Sequence, residues 1–225
     1  NPVSGNAFKE LLQALGSDRT VHAPDMPGFG DSDRPGTEPT IADLARATAE
    51  SLRELGYDAT RAGQLDVYGV CIVRFTAKAN DGQAPRLIPL VILCGVPYYP
   101  AHTRSYEFFT DPDYVDRLYK RIVEAGDARL PFRRRLEHFT DHMLTGRNGE
   151  WEDRATFGYD AEDGLHALDQ PTLLMAFDDE LTESTRAANS LVSKSKYVRL
   201  QGLTRLGFIS HPDKVAHAIR EFLDS

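Results

Sequence analysis

Two patterns of apolar residues alternate along the chain. In some segments apolar residues recur every three or four positions, which predicts helices, and in others they fill short runs bounded by turn residues, which predicts buried strands. The predicted helices are 8–15, 41–56, 182–192 and 212–225, and the predicted strands are 20–23, 64–70, 89–97, 171–177 and 196–202. This alternation indicates an α/β fold with a mostly parallel, doubly wound sheet that helices cover on both faces.

The alternation stops between residues 98 and 167. This stretch holds six of the chain's nine tyrosines and its only tryptophan, and its helical patterns at 113–126 and 132–144 are mixed with irregular segments. Because it lies between two predicted strands, we expect it to be a helical lid inserted into a core formed by 1–97 and 168–225. The basic cluster 133–135 is interpreted as part of a solvated helix face, since acidic residues surround it.

Composition narrows the classes of partner. The chain has 225 residues, a hydrophobic fraction of 41% and a net charge of −8, which fits one α/β domain and disfavours nucleic acid or an anionic membrane surface as a partner. No apolar run approaches the roughly 20 residues of a membrane span. With two cysteines and no zinc-type spacing, we expect no metal site. We also expect no cofactor, a cytoplasmic location and a small-molecule substrate or ligand. A homodimer stays open.

Five pieces of sequence, in this order, resemble the α/β-hydrolase superfamily. In the first piece, Asp25 to Ser32 match the superfamily's Asp-x-Pro-Gly-x-Gly-x-Ser loop position by position. The pieces are "HAPDMPGFGDSDRP", "LDVYGVCIVRFTAKA", "LVILCGVPYY", "PTLLMAFDDELTES" and "HPDKVAHAIREFL". The resemblance implies that "NPVSG" is the tail of an oxyanion loop, that the first strands of the sheet lie upstream of it, and that the strands ending at Gly69 and Cys94 are neighbours.

By the same resemblance, Cys71 occupies the place of the nucleophile, on a sharp turn between a strand and a helix. A thiolate is a strong nucleophile, a helix N-terminus lowers a thiol's pKa, and some lactone-opening members of the superfamily use cysteine there. The turn normally has small residues two positions either side of the nucleophile; Gly69 fits this rule, and Val73 does not. The other interpretation of Cys71 is a small buried apolar residue.

The acid that orients the base should follow the strand 171–177. Asp178, Asp179 and Glu180 stand there in a row. Counting from Pro171 favours Glu180, whereas matching "DELT" to the family's Asp-Pro-Leu-Thr favours Asp179.

The histidine base is displaced or lost. The family's position for it falls on Arg205, and arginine cannot act as a base at neutral pH. His211 is the candidate closest in sequence, although a helix-start role is the simpler explanation. The residues that we expect to contact the substrate are Asn1, Pro2, Ile72, Tyr98 and Arg205, with the Ile72 N–H as an oxyanion donor.

Two functions follow from the resemblance. In the first, Cys71, His211 and Asp179 or Glu180 hydrolyse a small apolar ester, thioester or lactone by nucleophilic acyl transfer, so that the chain is a hydrolase of carboxylic esters or lactones if it is active. In the second, triad chemistry has been lost and the lid covers a pocket that binds a small molecule or catalyses a noncovalent reaction, such as an isomerisation or an elimination.

Overall fold

The computed structural model describes residues 4–57, 66–70, 90–94, 112–146, 151, 154–155, 159, 161–179, 181–204 and 206–225. Its strands are β1 Asp66–Val70, β2 Leu90–Cys94, β3 Thr172–Phe177 and β4 Ser195–Leu200. Its helices are a 3₁₀ helix Gly5–Phe8, α1 Lys9–Leu15, α2 Ile41–Glu54, α3 Tyr114–Tyr119, a π-helical turn Lys120–Glu124, α4 Phe132–Thr145, α5 Ala161–His166, α6 Thr182–Ala188, α7 Gly207–Ser210 and α8 Pro212–Leu223.

The four strands form one parallel sheet in the order β1-β2-β3-β4. β1, β2 and β3 fall inside predicted strands, and β4 overlaps the predicted strand 196–202 but begins one residue earlier, which confirms the α/β fold and the parallel sheet. The expectation that the strands ending at Gly69 and Cys94 are neighbours is also confirmed, because Gly69 pairs with Leu93 and Val70 pairs with Cys94.

Helices cover β3 on both faces. Leu173, Met175 and Phe177 pack in a cluster with residues of α1, α7 and α8, whereas Leu174 packs with residues of α5 and α6. All six residues of β3 are buried. A strand that is buried on both faces needs an unbroken apolar run, which is the pattern that identified it in the sequence.

Helix α2 shows why the predicted ends of a helix can be reliable. The Thr40 side chain accepts from the Asp43 backbone N–H, and the Asp43 carboxylate accepts from the Thr40 backbone N–H at 3.0 Å, so two N–H groups at the helix start are satisfied reciprocally. Gly56 follows the helix with a positive φ of 84°, a conformation that glycine adopts without steric cost.

The predicted strand at 20–23 was wrong. This segment joins no sheet in the described part of the chain, and a strand exists only where a partner accepts its backbone hydrogen bonds. The short helix α7 was not predicted; it buries Phe208 and Ile209 against the core. In the described part of 98–167 the regular elements are α3, the π-helical turn, α4 and α5, and the division into core and lid stays a prediction.

Candidate active site

The carboxyl ends of the four parallel strands lie at one edge of the sheet. Val70, Cys94 and Met175 are level with one another across β1, β2 and β3. The chain therefore leaves β1 toward Cys71 at the same edge at which it leaves β3 toward Asp178 and Asp179. Open α/β sheets bind ligands at this edge, so the structure places the predicted acids at the part of the fold suited to a site.

Asp178 stabilises the turn after β4. Its carboxylate accepts from the Gly202 backbone N–H at 2.6 Å and from Arg199 Nε at 2.7 Å. These hydrogen bonds, that of Gly202 first, hold the pKa of Asp178 below its usual value. Because Asp178 is exposed and its carboxylate oxygens already accept from Arg199 and the Gly202 N–H, it is the weaker of the two described candidates for the acid.

Asp179 is half-buried at the start of α6. Its Oδ1 accepts from the Leu181 backbone N–H at 2.9 Å, and its own N–H donates to Thr182 Oγ1 at 3.1 Å. These contacts fix the carboxylate at the sheet edge, where an orienting acid is required. Glu180, the competing candidate, lies outside the described residues.

His211 ends α7 and precedes α8, and both nitrogens of its ring have partners. Arg129 Nη1 lies 2.8 Å from Nε2, and Ser210 Oγ lies 3.0 Å from Nδ1. Because a guanidinium only donates, Nε2 must accept, which requires a neutral ring. Partial burial, followed by the charges of Arg129 and Lys214, lowers the pKa of His211.

His211 and Asp179 are not joined by a hydrogen bond or an ion pair within the described residues. The role of His211 as a base therefore stays a prediction, and it requires that Arg129 release Nε2. The remaining predicted site residues lie outside the described residues: Asn1, Pro2, Cys71, Ile72, Tyr98 and Arg205.

Asp25 joins the Pro-Gly loop to the start of the 3₁₀ helix. Its Oδ1 accepts from the Gly5 backbone N–H at 2.6 Å, and its Oδ2 accepts from the Asp31 N–H at 2.9 Å. Gly30, with φ of 52°, lies against the same carboxylate. The sequence analysis matched this loop to a motif without assigning a function to Asp25; its place at the first position of the motif was the available signal.

A buried polar face of α4 packs against the N-terminal segment. Arg134, His138, Asp141 and Thr145 recur at helical spacing, and all but Asp141 are buried. Ser4 Oγ donates to Asp141 Oδ2 at 2.8 Å. This contact and those of Arg134 connect residues that are more than 120 positions apart in the sequence.

The solvated helix face predicted for 133–135 was wrong at Arg134, whose side chain is 8% exposed. Its Nε lies 2.7 Å from Glu10 Oε1, and its Nη2 donates to the Asn6 carbonyl at 2.9 Å. Burial of a guanidinium is tolerated because the carboxylate and the carbonyls replace water as its partners. Arg133, by contrast, is exposed as predicted.

The structure offers no arrangement for a metal ion: within the described residues, no three side chains among histidine, cysteine, aspartate and glutamate cluster as ligands. Among the described helices, none combines the length and the apolar character needed to cross a membrane.

A model of the α/β hydrolase fold family matches residues 1–170. The chain belongs to this family. It is also 28% identical over 181 residues to a poly(3-hydroxyalkanoate) depolymerase of Ectopseudomonas oleovorans, a match that covers 76% of the chain and 62% of the depolymerase. The chain thus spans less than two thirds of that relative's length.

Solved structures agree on the fold. A bromoperoxidase from Bacillus anthracis superposes with a TM-score of 0.79 and 17% identity, over 100% of this chain and 89% of the other. A thermophilic esterase from Thermogutta terrifontis gives a TM-score of 0.70 and 22% identity, over 99% and 86%. At such identities the likeness concerns the fold, and function has to be argued from the site.

Proposed function

We propose that this α/β-hydrolase-fold chain hydrolyses a small apolar ester, thioester or lactone by nucleophilic acyl transfer. The observation that carries the proposal is the position of Asp179, fixed by the Leu181 N–H at the carboxyl edge of the sheet, where β1 also leads to Cys71. The similarity to a depolymerase acting on a poly(3-hydroxyalkanoate) and to an esterase supports ester chemistry.

In the proposed reaction the thiolate of Cys71 attacks the carbonyl carbon and forms a C–S bond, and the Ile72 N–H stabilises the oxyanion. Collapse of the tetrahedral intermediate breaks the C–O bond, and the alkoxide takes the proton that the base had removed from the thiol. Water then attacks the thioester and gives a proton to the base, which returns it to the thiolate as the C–S bond breaks. His211 is the base in this scheme, and Asp179 or Glu180 orients it.

A second function is favoured by a specific contact. His211 Nε2 accepts from Arg129, and the usual position of the base carries Arg205 in the sequence. A fold that binds a small molecule, or that catalyses an isomerisation or an elimination under the lid, needs no cysteine–histidine pair and leaves the His211 contact intact.

Cysteine labelling combined with turnover separates the two functions. The first predicts that an iodoacetamide-type reagent labels Cys71 faster than Cys94, and that Cys71→Ala abolishes turnover of an activated ester. Cys94→Ala is the matched control, because Cys94 ends the neighbouring strand and the mechanism gives it no role. Slow, equal labelling together with unchanged turnover in Cys71→Ala would refute acyl transfer and leave the second function.

A further inference from the structure

Two carboxylates from distant parts of the chain hold the dipeptide Ser4-Gly5. Asp25 Oδ1 accepts from the Gly5 backbone N–H at 2.6 Å, and Asp141 Oδ2 accepts from Ser4 Oγ at 2.8 Å. Both residues of the dipeptide are buried. Hydrogen bonds to an ionised acceptor are roughly twice as strong as neutral ones, so each contact restrains the dipeptide strongly.

Close packing around Asp25 leaves the dipeptide little freedom. A Cβ atom at position 30 would collide with the Asp25 carboxylate, and a Cβ atom at position 5 would collide with the Ala23 carbonyl oxygen. Both positions therefore require glycine, and the backbone at Gly5 is confined between the Asp25 carboxylate and the backbone at Ala23. A shift of Gly5 in either direction would break a hydrogen bond or cause a collision.

Asp141 brings the second restraint from α4, which lies in the predicted lid. The same helix is fixed to the N-terminal segment by Arg134, which binds the Glu10 carboxylate and the Asn6 carbonyl. The position of Ser4-Gly5 thus depends on the Pro-Gly loop through Asp25 and on α4 through Asp141. Movement of either element would therefore alter one of the two hydrogen bonds that hold this dipeptide.

We propose that Asp25 and Asp141 are positioning residues: they hold Ser4-Gly5, which directly follows residues 1–3 in the sequence, in the position that acyl transfer requires. This inference rests on the proposed function and on the expectation from the sequence that Asn1 and Pro2 contact the substrate. Neither carboxylate touches the substrate in this account. Their loss is expected to lower kcat with little effect on KM, because a misplacement of about 1 Å in a catalytic group costs about 100-fold in rate.

The experiment compares Asp25→Ala and Asp141→Ala with Asp33→Ala. Alanine at position 25 removes the acceptor of both the Gly5 and the Asp31 backbone N–H groups. Asp33 is the matched control, because it lies in the same loop, is exposed and makes no side-chain hydrogen bond within the described residues. Amide hydrogen exchange at Gly5 and steady-state kinetics with an activated ester are measured for each variant.

We expect exchange at Gly5 to accelerate about tenfold or more in Asp25→Ala, and kcat to fall by about tenfold or more in both test variants with KM within about twofold. Asp33→Ala should match the unsubstituted chain in both measurements. Unaltered exchange at Gly5 in Asp25→Ala would overturn the restraint, whatever the activity. Faster exchange with unchanged kcat would reduce the contacts to a structural role and overturn the positioning proposal.

Failure of the proposed function gives a different pattern. If the unsubstituted chain turns over no ester, acyl transfer is refuted and the kinetic role of the two carboxylates falls with it. Exchange at Gly5 would still differ between Asp25→Ala and Asp33→Ala in that case, because the hydrogen bonds do not depend on the reaction.

Discussion

His138 is a buried, neutral histidine whose protonation should destabilise the chain in acid. It is 6% exposed, and its Nδ1 has no hydrogen-bond partner within the described residues. Burial lowers the pKa of His138 to about 3, and the positive charges of His142, Arg134 and Arg121 act in the same direction. The ring of His142 packs edge-on against the ring of His138, with 4.7 Å between the centroids. Protonation of one ring therefore disfavours protonation of the other.

The sign of the effect follows from the two pKa values. The pKa of an unfolded histidine is about 6.5, so the unfolded chain binds a proton before the folded chain does. Stability is therefore complete above about pH 6.5 and is lost as the pH falls toward 3. Between pH 7.5 and pH 5, the pH passes about 1.5 units below the pKa of the unfolded histidine. The free energy of unfolding therefore falls by about 2 kcal/mol on account of His138. His142, whose pKa is lowered to about 4, has the same sign.

Urea unfolding of His138→Gln at pH 7.5 and pH 5 measures this contribution. Glutamine does not titrate, so the variant should lose about 2 kcal/mol less than the unsubstituted chain between the two pH values, whatever its stability at pH 7.5. His166→Gln is the control for replacing a histidine by glutamine, because that side chain is 55% exposed and the variant keeps the buried ring of His138. An equal loss in His138→Gln and the unsubstituted chain would refute the reasoning.

Two further substitutions test the packing around the N-terminal segment and the Pro-Gly loop. Arg134→Met should destabilise by about 1–3 kcal/mol in urea unfolding, because the partly buried Glu10 carboxylate and the Asn6 carbonyl lose their donor. Arg133→Met, at a side chain 90% exposed, should change little, and equal losses would show that the contacts of Arg134 are unimportant. Gly30→Ala should cost about 1–3 kcal/mol in strain from its positive φ alone. Gly36→Ala, where a Cβ meets nothing within 4 Å, should be nearly neutral, and a neutral Gly30→Ala would contradict the observed packing.

The sequence predicted the sheet because the apolar pattern records burial on two faces. β3 is the clearest example, since all six of its residues are buried, as expected of a strand that helices cover on both faces. The segment 20–23 shows the limit of the method. Val21 and Ala23 gave it the composition of a short strand, but local composition contains no information about whether a partner strand is present.

The contacts of the candidate site were harder to predict because they join distant parts of the chain. Asp179 and Glu180 were proposed as the acid from their place after a strand, a property of the local sequence, and that role stays a prediction. Arg134 and Asp141 stand in a highly charged helix, and charge alone favoured a solvated face. The burial of Arg134 and the hydrogen bond of Asp141 depend on Glu10 and Ser4, more than 120 positions away, and no pattern within α4 identifies those partners.

The two proposed functions make different demands on the contact between His211 and Arg129. A ring nitrogen that accepts from a guanidinium has its lone pair occupied, so it cannot remove a proton from a thiol until that donor moves. Arg129 is in turn bound to the Asp127 carboxylate at 2.7 Å, which holds it in place. Acyl transfer with His211 as the base therefore requires a rearrangement of this group, whereas noncovalent chemistry does not. The reactivity of Cys71, measured together with the turnover of Cys71→Ala, decides between them, because acyl transfer requires both a reactive thiolate and its participation in turnover.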